Sequence, residues 1–183
     1  MTQYQIGVVV GSLRRESFNR KLANGVIRLG PPEFAFRELE IGDQPLYNQD
    51  TDRDQPEAVK RLKSEIRECQ GILFVTPEYN RSMPGVLKNA LDNASRPYGD
   101  SAWAGKPCGI MGVSSGQIGT ACAQQHLRDS LAYLDMPVLG QPEVYITFSD
   151  ELINADGSIG AGSRDFLKGW MDRFAAWVKL HAT

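Results

Sequence analysis

Gly71-Ile-Leu-Phe-Val-Thr76 is a continuous apolar run of strand length, with no alternation to mark a wet face. A strand is apolar on both sides only when it is covered on both sides, which points to a central strand of a parallel sheet. Working outward, Tyr4 to Val10 is a second such run, rich in valine and stopped by Gly11-Ser12. Phe34 to Ile41 alternates weakly, and Pro107 to Ser114 and Glu143 to Phe148 complete a set of five predicted strands. Between them apolar residues recur at helical spacing: Leu22, Ala23, Val26, Ile27 and Leu29; Val59, Leu62, Ile66 and Cys69, from a start near Gln55-Pro56; and Val86, Leu87, Ala90, Leu91 and Ala94. Pro84 opens that third helix. A fourth helix covers Ala121 to Leu134, with Ala123, Leu127, Leu131 and Leu134 inward. A last one carries Phe166, Trp170, Phe174, Trp177 and Val178 on its apolar stripe.

Strands alternating with helices imply βαβ units, hence an α/β three-layer sandwich: a five-stranded parallel sheet with helices on both faces. The length, 183 residues, suits one domain over 1–183. Five strands fit a flavodoxin-like order better than a full dinucleotide-binding fold, which normally adds a sixth. The long connections, Tyr47 to Pro56, Arg96 to Lys106 and Phe148 to Gly162, are candidate lids or interface loops.

Charge narrows the partners. Twenty Lys plus Arg stand against 22 Asp plus Glu, a net charge of −2, so nothing draws the chain as a whole to nucleic acid or an anionic membrane. The N-terminal apolar run is too short for a signal peptide or a span, and it follows no basic segment. Cys69, Cys108 and Cys122 show neither a CxxC pair nor metal-ligand spacing, so a reduced, cytoplasmic protein without a metal site is expected. The sequons at Asn80 and Asn93 carry no weight without secretion.

In an open α/β sheet, ligands sit beyond the carboxyl ends of the strands where strand order reverses. Three loops with unusual chemistry fall there. The first, Gly11-Ser-Leu-Arg-Arg-Glu-Ser-Phe-Asn19, suits a phosphate. Ser12, Ser17 and Asn19 offer short donors, Ser17 is placed to cap the following helix, and Arg14 or Arg15 adds charge. A plain N-cap with solvated arginines accounts for the same residues. Neither G-x-x-x-x-G-K-[ST] nor G-x-G-x-x-G follows the strand, so no triphosphate or dinucleotide fingerprint is present. The second loop, Thr76-Pro-Glu-Tyr-Asn-Arg-Ser82, suits a flat heteroaromatic ring, with Pro77 fixing the backbone, amides from Glu78 to Asn80 as donors and Tyr79 as an aromatic wall. The third, Gly112-Val-Ser-Ser-Gly-Gln-Ile-Gly119, lets backbone approach a ligand closely, although any short βα turn reads alike.

Taken together these residues resemble the NADPH-dependent FMN reductases of flavodoxin-like fold, which include bacterial quinone and chromate reductases. The resemblance is sharpest in GSLRRESFN (11–19) and TPEYNRSMPGVLKNALD (76–92), with AGKP (104–107) and the turn at 114–116 in support. It implies that Ser12, Arg14, Ser17, Phe18 and Asn19 hold the phosphate of FMN. It likewise implies that Pro77, Glu78, Tyr79 and Asn80 line the isoalloxazine, and that Ser114, Ser115 and Gly116 touch its other side. NAD(P)H is then the electron donor, and a small quinone, a flavin, an azo dye or chromate the acceptor. The family forms dimers or tetramers with sites at subunit interfaces, which suits the loop from Arg96 to Trp103, where Tyr98 and Trp103 are expected to face a neighbour; the alternative is that Trp103 packs back on its own core. Relatives commonly carry Trp where this chain has Asn93, a departure that bears on the acceptor pocket.

Hydride transfer through a flavin needs no side-chain acid or base at the point of transfer, so no catalytic side chain is singled out. With no second nucleotide fingerprint, donor and acceptor are expected to use one flavin face in turn. An alternative is a flavodoxin-like single-electron carrier that docks on protein partners, but such carriers tend to be acidic around the flavin, whereas arginines stand at 14, 15, 81 and 96. Cys122 to Arg128 has the C-x5-R spacing of cysteine phosphatases, yet it lies in a predicted helix without glycine. A receiver domain would need acids where Ser12 and Thr76 stand.

Overall fold

The structure, a computed structural model, describes residues 3–182. Its strands are β1 (Tyr4–Val10), β2 (Phe34–Glu38), β3 (Gly71–Val75), β4 (Cys108–Ser114) and β5 (Tyr145–Thr147). Its helices are α1 (Phe18–Ile27), α2 (Glu57–Glu68), α3 (Gly85–Ala94), α4 (Ala121–Tyr133) and α5 (Ala161–His181), with a single 3-10 turn at Gln49–Thr51. All strand pairs are parallel and the order is β2-β1-β3-β4-β5. This is the flavodoxin-like order, whose switch point falls between β1 and β3.

Period-two alternation divides the apolar residues between two cores. Ile6, Val8 and Val10 of β1 face α1 and α5, together with Leu22, Val26, Trp170 and Phe174. Val9, Ile72 and Phe74 face α2, α3 and α4, with Leu62, Ile66, Leu87, Leu91 and Leu127. Val8, Val9, Val10 and all five residues of β3 are buried, as the unbroken apolar runs require.

Several boundaries differ from those read in the sequence. β2 ends at Glu38, not Ile41: Leu39 still donates its N–H to Val8 O at 2.8 Å, but the chain then leaves the sheet while Leu39 and Ile41 stay buried among α2-side residues. β5 is reduced to three residues. Pro84 stands at the N-cap of α3, one position before the first helical turn. Phe166 is exposed, and the inward stripe of α5 runs instead through Leu167, Trp170, Met171, Phe174 and Val178.

The register sets up the site. Val10 lies opposite Val75 and Val75 opposite Met111, so β1 and β3 end together while β4 runs three residues further and pairs there with β5. Gly112 marks the crossing: a Cβ there would lie 2.2 Å from Thr76 O and 2.4 Å from Thr120 Oγ1. Only glycine lets the end of β3, β4 and the start of α4 close to that distance.

Candidate cofactor site

The three loops converge at the carboxyl edge of β1, β3 and β4. Ser12, Arg14, Ser17, Phe18, Asn19, Pro77, Glu78, Tyr79, Ser114 and Ser115, together with Val113, line one cleft of about 190 Å³. Asn80 and Gly116 line an adjoining hollow of about 250 Å³, which shares Glu78, Ser114 and Ser115 with the cleft. Thus all twelve residues that the sequence nominated stand around one continuous depression.

Its phosphate end is built on the start of α1. Ser17 is the N-cap, and its Oγ accepts the Arg20 N–H at 3.2 Å. The N–H groups of Phe18 and Asn19 have no partner among the described residues, leaving two backbone donors and the positive end of the helix dipole at the cleft. Ser12 is buried where it lines the same cleft. The Arg14 guanidinium lies over the Phe18 ring at 5.1 Å, and Phe148 stacks on that ring at 3.8 Å with 17° between planes. A phenyl at that distance covers its face, so arginine and Phe148 take opposite sides of Phe18. Phe148 was not nominated by the sequence, and its role depends on a contact with residue 18 that no local pattern announces.

Asn19 does something other than donate a side chain to a phosphate. Its Nδ2 donates to Val113 O at 2.8 Å and its Oδ1 accepts the Val113 N–H at 3.0 Å. It thereby continues the ladder of β4 past the end of β3. What Asn19 offers the cleft is its backbone N–H.

The ring end is built from two tight turns. Tyr79 and Ser82 exchange N–H to C=O bonds, both at 3.0 Å, around Asn80 (φ 51°) and Arg81 (φ 65°). Two positive φ values in a two-residue hairpin are the mark of a type I′ turn, which asparagine tolerates better than most residues. The Tyr79 amide is therefore engaged, and the donors left to a ligand are the N–H groups of Glu78 and Asn80. The Glu78 carboxylate is buried; it accepts the Ala123 N–H at 3.1 Å, in the first turn of α4, and meets Arg81 Nη1 at 3.2 Å. It clamps the turn to α4. On the other side, the N–H groups of Ser115 and Gly116 have no partner among the described residues, while Ser114 Oγ donates to Gly116 O at 3.2 Å. Tyr79 keeps about half of its surface exposed, as a wall for a flat ring would.

The groups fit FMN. Hydroxyls, two helical amides and an arginine suit its phosphate dianion, and four unpaired amides flanking a tyrosine suit a planar ring with carbonyl acceptors. Among the described residues no His, Cys, Asp and Glu cluster could hold a metal ion.

The expectations for Trp103 and Asn93 turn out differently. Trp103 packs into its own core: it is fully buried, lies 5.9 Å from Phe74 and donates Nε1–H to Leu91 O at 3.2 Å. It therefore presents nothing to a neighbouring subunit, whereas Tyr98 is 86% exposed. Asn93 is buried and donates to Pro45 O at 2.9 Å, holding the loop before α2 together with Asn89, which donates to the same carbonyl. Cys122 sits in α4, outside any strand-to-helix phosphate loop. Burial pushes the thiols of Cys69 and Cys108 above the usual cysteine range, so neither is a ready nucleophile. His126 Nδ1 lies 3.0 Å from Ser82 Oγ on the flank of the hairpin. No helix among the described residues is long and apolar enough to cross a membrane.

The model of one protein family, NADPH-dependent FMN reductase, matches residues 4–151. A 2-hydroxy-1,4-benzoquinone reductase from a Burkholderia species is 54% identical over 176 residues, 96% of each chain. A quinone reductase of Pseudomonas putida is 50% identical over 179 residues, covering 97% of this chain and 96% of the relative. Among solved structures, the flavoenzyme NAD(P)H:(acceptor) oxidoreductase FerB of Paracoccus denitrificans superposes with a TM-score of 0.94 at 42% identity, covering 98% of this chain and all of that one.

Proposed function

The chain belongs to the NADPH-dependent FMN reductase family, and from that premise we propose that it is a cytoplasmic, single-domain quinone reductase that uses bound FMN. The observation that carries this reading is the convergence of three loops on one cleft, with hydroxyls and helix amides at one end and four unpaired turn amides at the other. Bound FMN would supply the hydride chemistry between NAD(P)H and the acceptor.

The protein's own part is positioning, charge stabilisation and exclusion of water. Ser12, Ser17, Arg14 and the N–H groups of Phe18 and Asn19 hold the phosphate. Pro77, Tyr79 and the amides of Glu78 and Asn80 would hold the ring from one side, and Ser115 and Gly116 from the other. Backbone donors fixed by a hairpin and a strand end need no reorganisation as negative charge builds on the ring, which is what makes such donors effective. Glu78 contributes indirectly, by tying the hairpin to α4. The depression is open enough for donor and acceptor to use the same face in succession, which implies ping-pong kinetics.

Quinones are the favoured acceptors because the two relatives at 54% and 50% identity are named for quinone reduction. The active unit is a homodimer or homotetramer, supported by Tyr98 and Tyr133, 86% and 77% exposed on neighbouring parts of the same surface. Three unpaired cysteines suit a reducing compartment. Steady-state oxidation of NADPH by the FMN-loaded protein with 1,4-benzoquinone tests the proposal. Parallel double-reciprocal lines are expected, and turnover no faster with quinone than without it would overturn the acceptor assignment.

A further inference from the structure

A hollow of about 470 Å³, larger than either part of the cofactor depression, lies on the other side of the Phe18–Phe148 pair. Its floor is a stripe along α1 and its C-cap, where Lys21, Asn24 and Arg28 follow one another at helical spacing, and its far wall is the segment after β5, with Phe148, Ile153 and Asn154. Nothing in the cofactor site uses these floor residues. Yet the two spaces share a wall: Phe148 stacks on Phe18, and its N–H donates to Ser114 O at 2.8 Å, both partners being residues of the cleft.

The lining has the makings of a nucleotide site. An aromatic and an aliphatic side chain offer an apolar face for a base, Asn24 offers a paired donor and acceptor, Asn154 offers its Oδ1 while its Nδ2 holds Ser158 Oγ at 2.9 Å, and two cations stand two turns apart, Lys21 on α1 and Arg28 at its C-cap. Lys21 is tied at 2.8 Å to Glu16, but both are well exposed, and such a pair is weak enough for a phosphate to displace. Arg28 uses Nη1 to hold Asp156 O at 2.9 Å, which fixes the guanidinium at the rim with donors to spare. Asp150 also lines the hollow, as an acceptor suited to ribose hydroxyls or an exocyclic amine.

We infer that this hollow seats the phosphorylated adenosine end of the nicotinamide donor. The inference rests on the function proposed above, and it supplies what that function lacks. A donor laid across the flavin has a second, adenosine-bearing end, and the chain carries no glycine fingerprint to receive it. The hollow offers Lys21 and Arg28 to its phosphates and Phe148 to its base, one residue's width from the flavin turn.

Ping-pong kinetics separate the two ends of the reaction, because kcat/KM for the donor reports only the reductive half and kcat/KM for the quinone only the oxidative half. In FMN-loaded Lys21→Ala/Arg28→Ala protein, kcat/KM for NADPH should fall about tenfold or more, the size expected for lost charge-assisted contacts. That for 1,4-benzoquinone should stay as in the unmodified protein. Calorimetry with 2′,5′-ADP should show binding to the unmodified FMN-loaded protein and at least tenfold weaker binding to the variant. Asn24→Trp, which fills the floor while keeping both cations, should block the same ligand. An unchanged NADPH efficiency, a parallel loss in both halves, or 2′,5′-ADP binding equal in all three proteins would overturn the inference. Should the unmodified protein not oxidise NADPH at all, the functional reading fails, and the 2′,5′-ADP titration still decides whether this hollow takes a nucleotide.

Discussion

Asn19→Ala is the substitution that best separates a structural clip from a ligand donor. The Asn19 side chain pairs with both backbone groups of Val113, at 2.8 and 3.0 Å, and both residues are almost wholly buried. Alanine leaves that N–H and C=O without partners at the point where β3 has ended and can no longer supply them. A buried polar group without its partner costs about 1–3 kcal/mol, so two give about 2–6 kcal/mol. Water entering from the cleft side would relieve part of this, which places the expected loss at about 2–4 kcal/mol. Against a typical total of about 5–15 kcal/mol this is a large fraction. Urea unfolding of the FMN-free protein measures it directly. Because the clip also sets the start of the 114–116 turn, FMN and riboflavin should lose affinity together. A stability loss under about 1 kcal/mol, or weaker FMN binding with riboflavin binding intact, would refute the clip and return Asn19 to the role of phosphate donor.

Three further outcomes are expected. Ser17→Ala combined with Arg14→Ala should weaken FMN binding about ten- to a hundredfold and riboflavin binding far less, at a stability cost of about 1 kcal/mol for the lost cap; equal effects on both ligands in a fluorescence titration would place the phosphate elsewhere. Asp100→Asn should remove an acid-sensitive contribution to stability. Hydrogen bonding from Lys63, helped by Arg67, holds the Asp100 carboxyl below its ordinary range, so its stabilisation is present above roughly pH 4 and fades as pH falls through the lowered value. With Asp100 half exposed, the cost at neutral pH should be about 1 kcal/mol or less, and thermal melts that keep the original acid-side slope in the variant would contradict the assignment. Tyr98→Ala/Tyr133→Ala should shift the sedimentation coefficient toward that of a monomer, and an unchanged assembly would remove these tyrosines from the interface.

Burial on both faces made the sheet legible from composition alone, since β1 and β3 can be so uniformly apolar only inside a three-layer fold. The site loops were legible for a different reason: Gly11, Pro77, Asn80 and Gly116 are residues whose backbone preferences already specify turns. Long-range partners were not legible. A tryptophan in a polar connection looks the same whether it turns outward or, like Trp103, inward to a carbonyl of α3. The sequence presents Asn19 as one more polar residue of an N-terminal motif, because the strand that it pairs with is 94 positions away. Nor could the Pro-Glu-Tyr-Asn run reveal that its own hairpin engages the Tyr79 amide, since that depends on two successive positive φ angles, one of them at an arginine. Phe148 belongs to the same class, a residue at the ragged end of the shortest strand that joins two loops of the site.

FMN held in the cleft beyond the first and third strands, and reduced there by NAD(P)H, is the centre of the proposed function. Anaerobic absorbance spectroscopy tests this most directly. Protein loaded with FMN and freed of excess should retain one flavin per chain, lose its long-wavelength absorbance on addition of one equivalent of NADPH, and regain it on addition of 1,4-benzoquinone. Failure to retain FMN, or retained FMN whose spectrum NADPH leaves unchanged, would contradict the account.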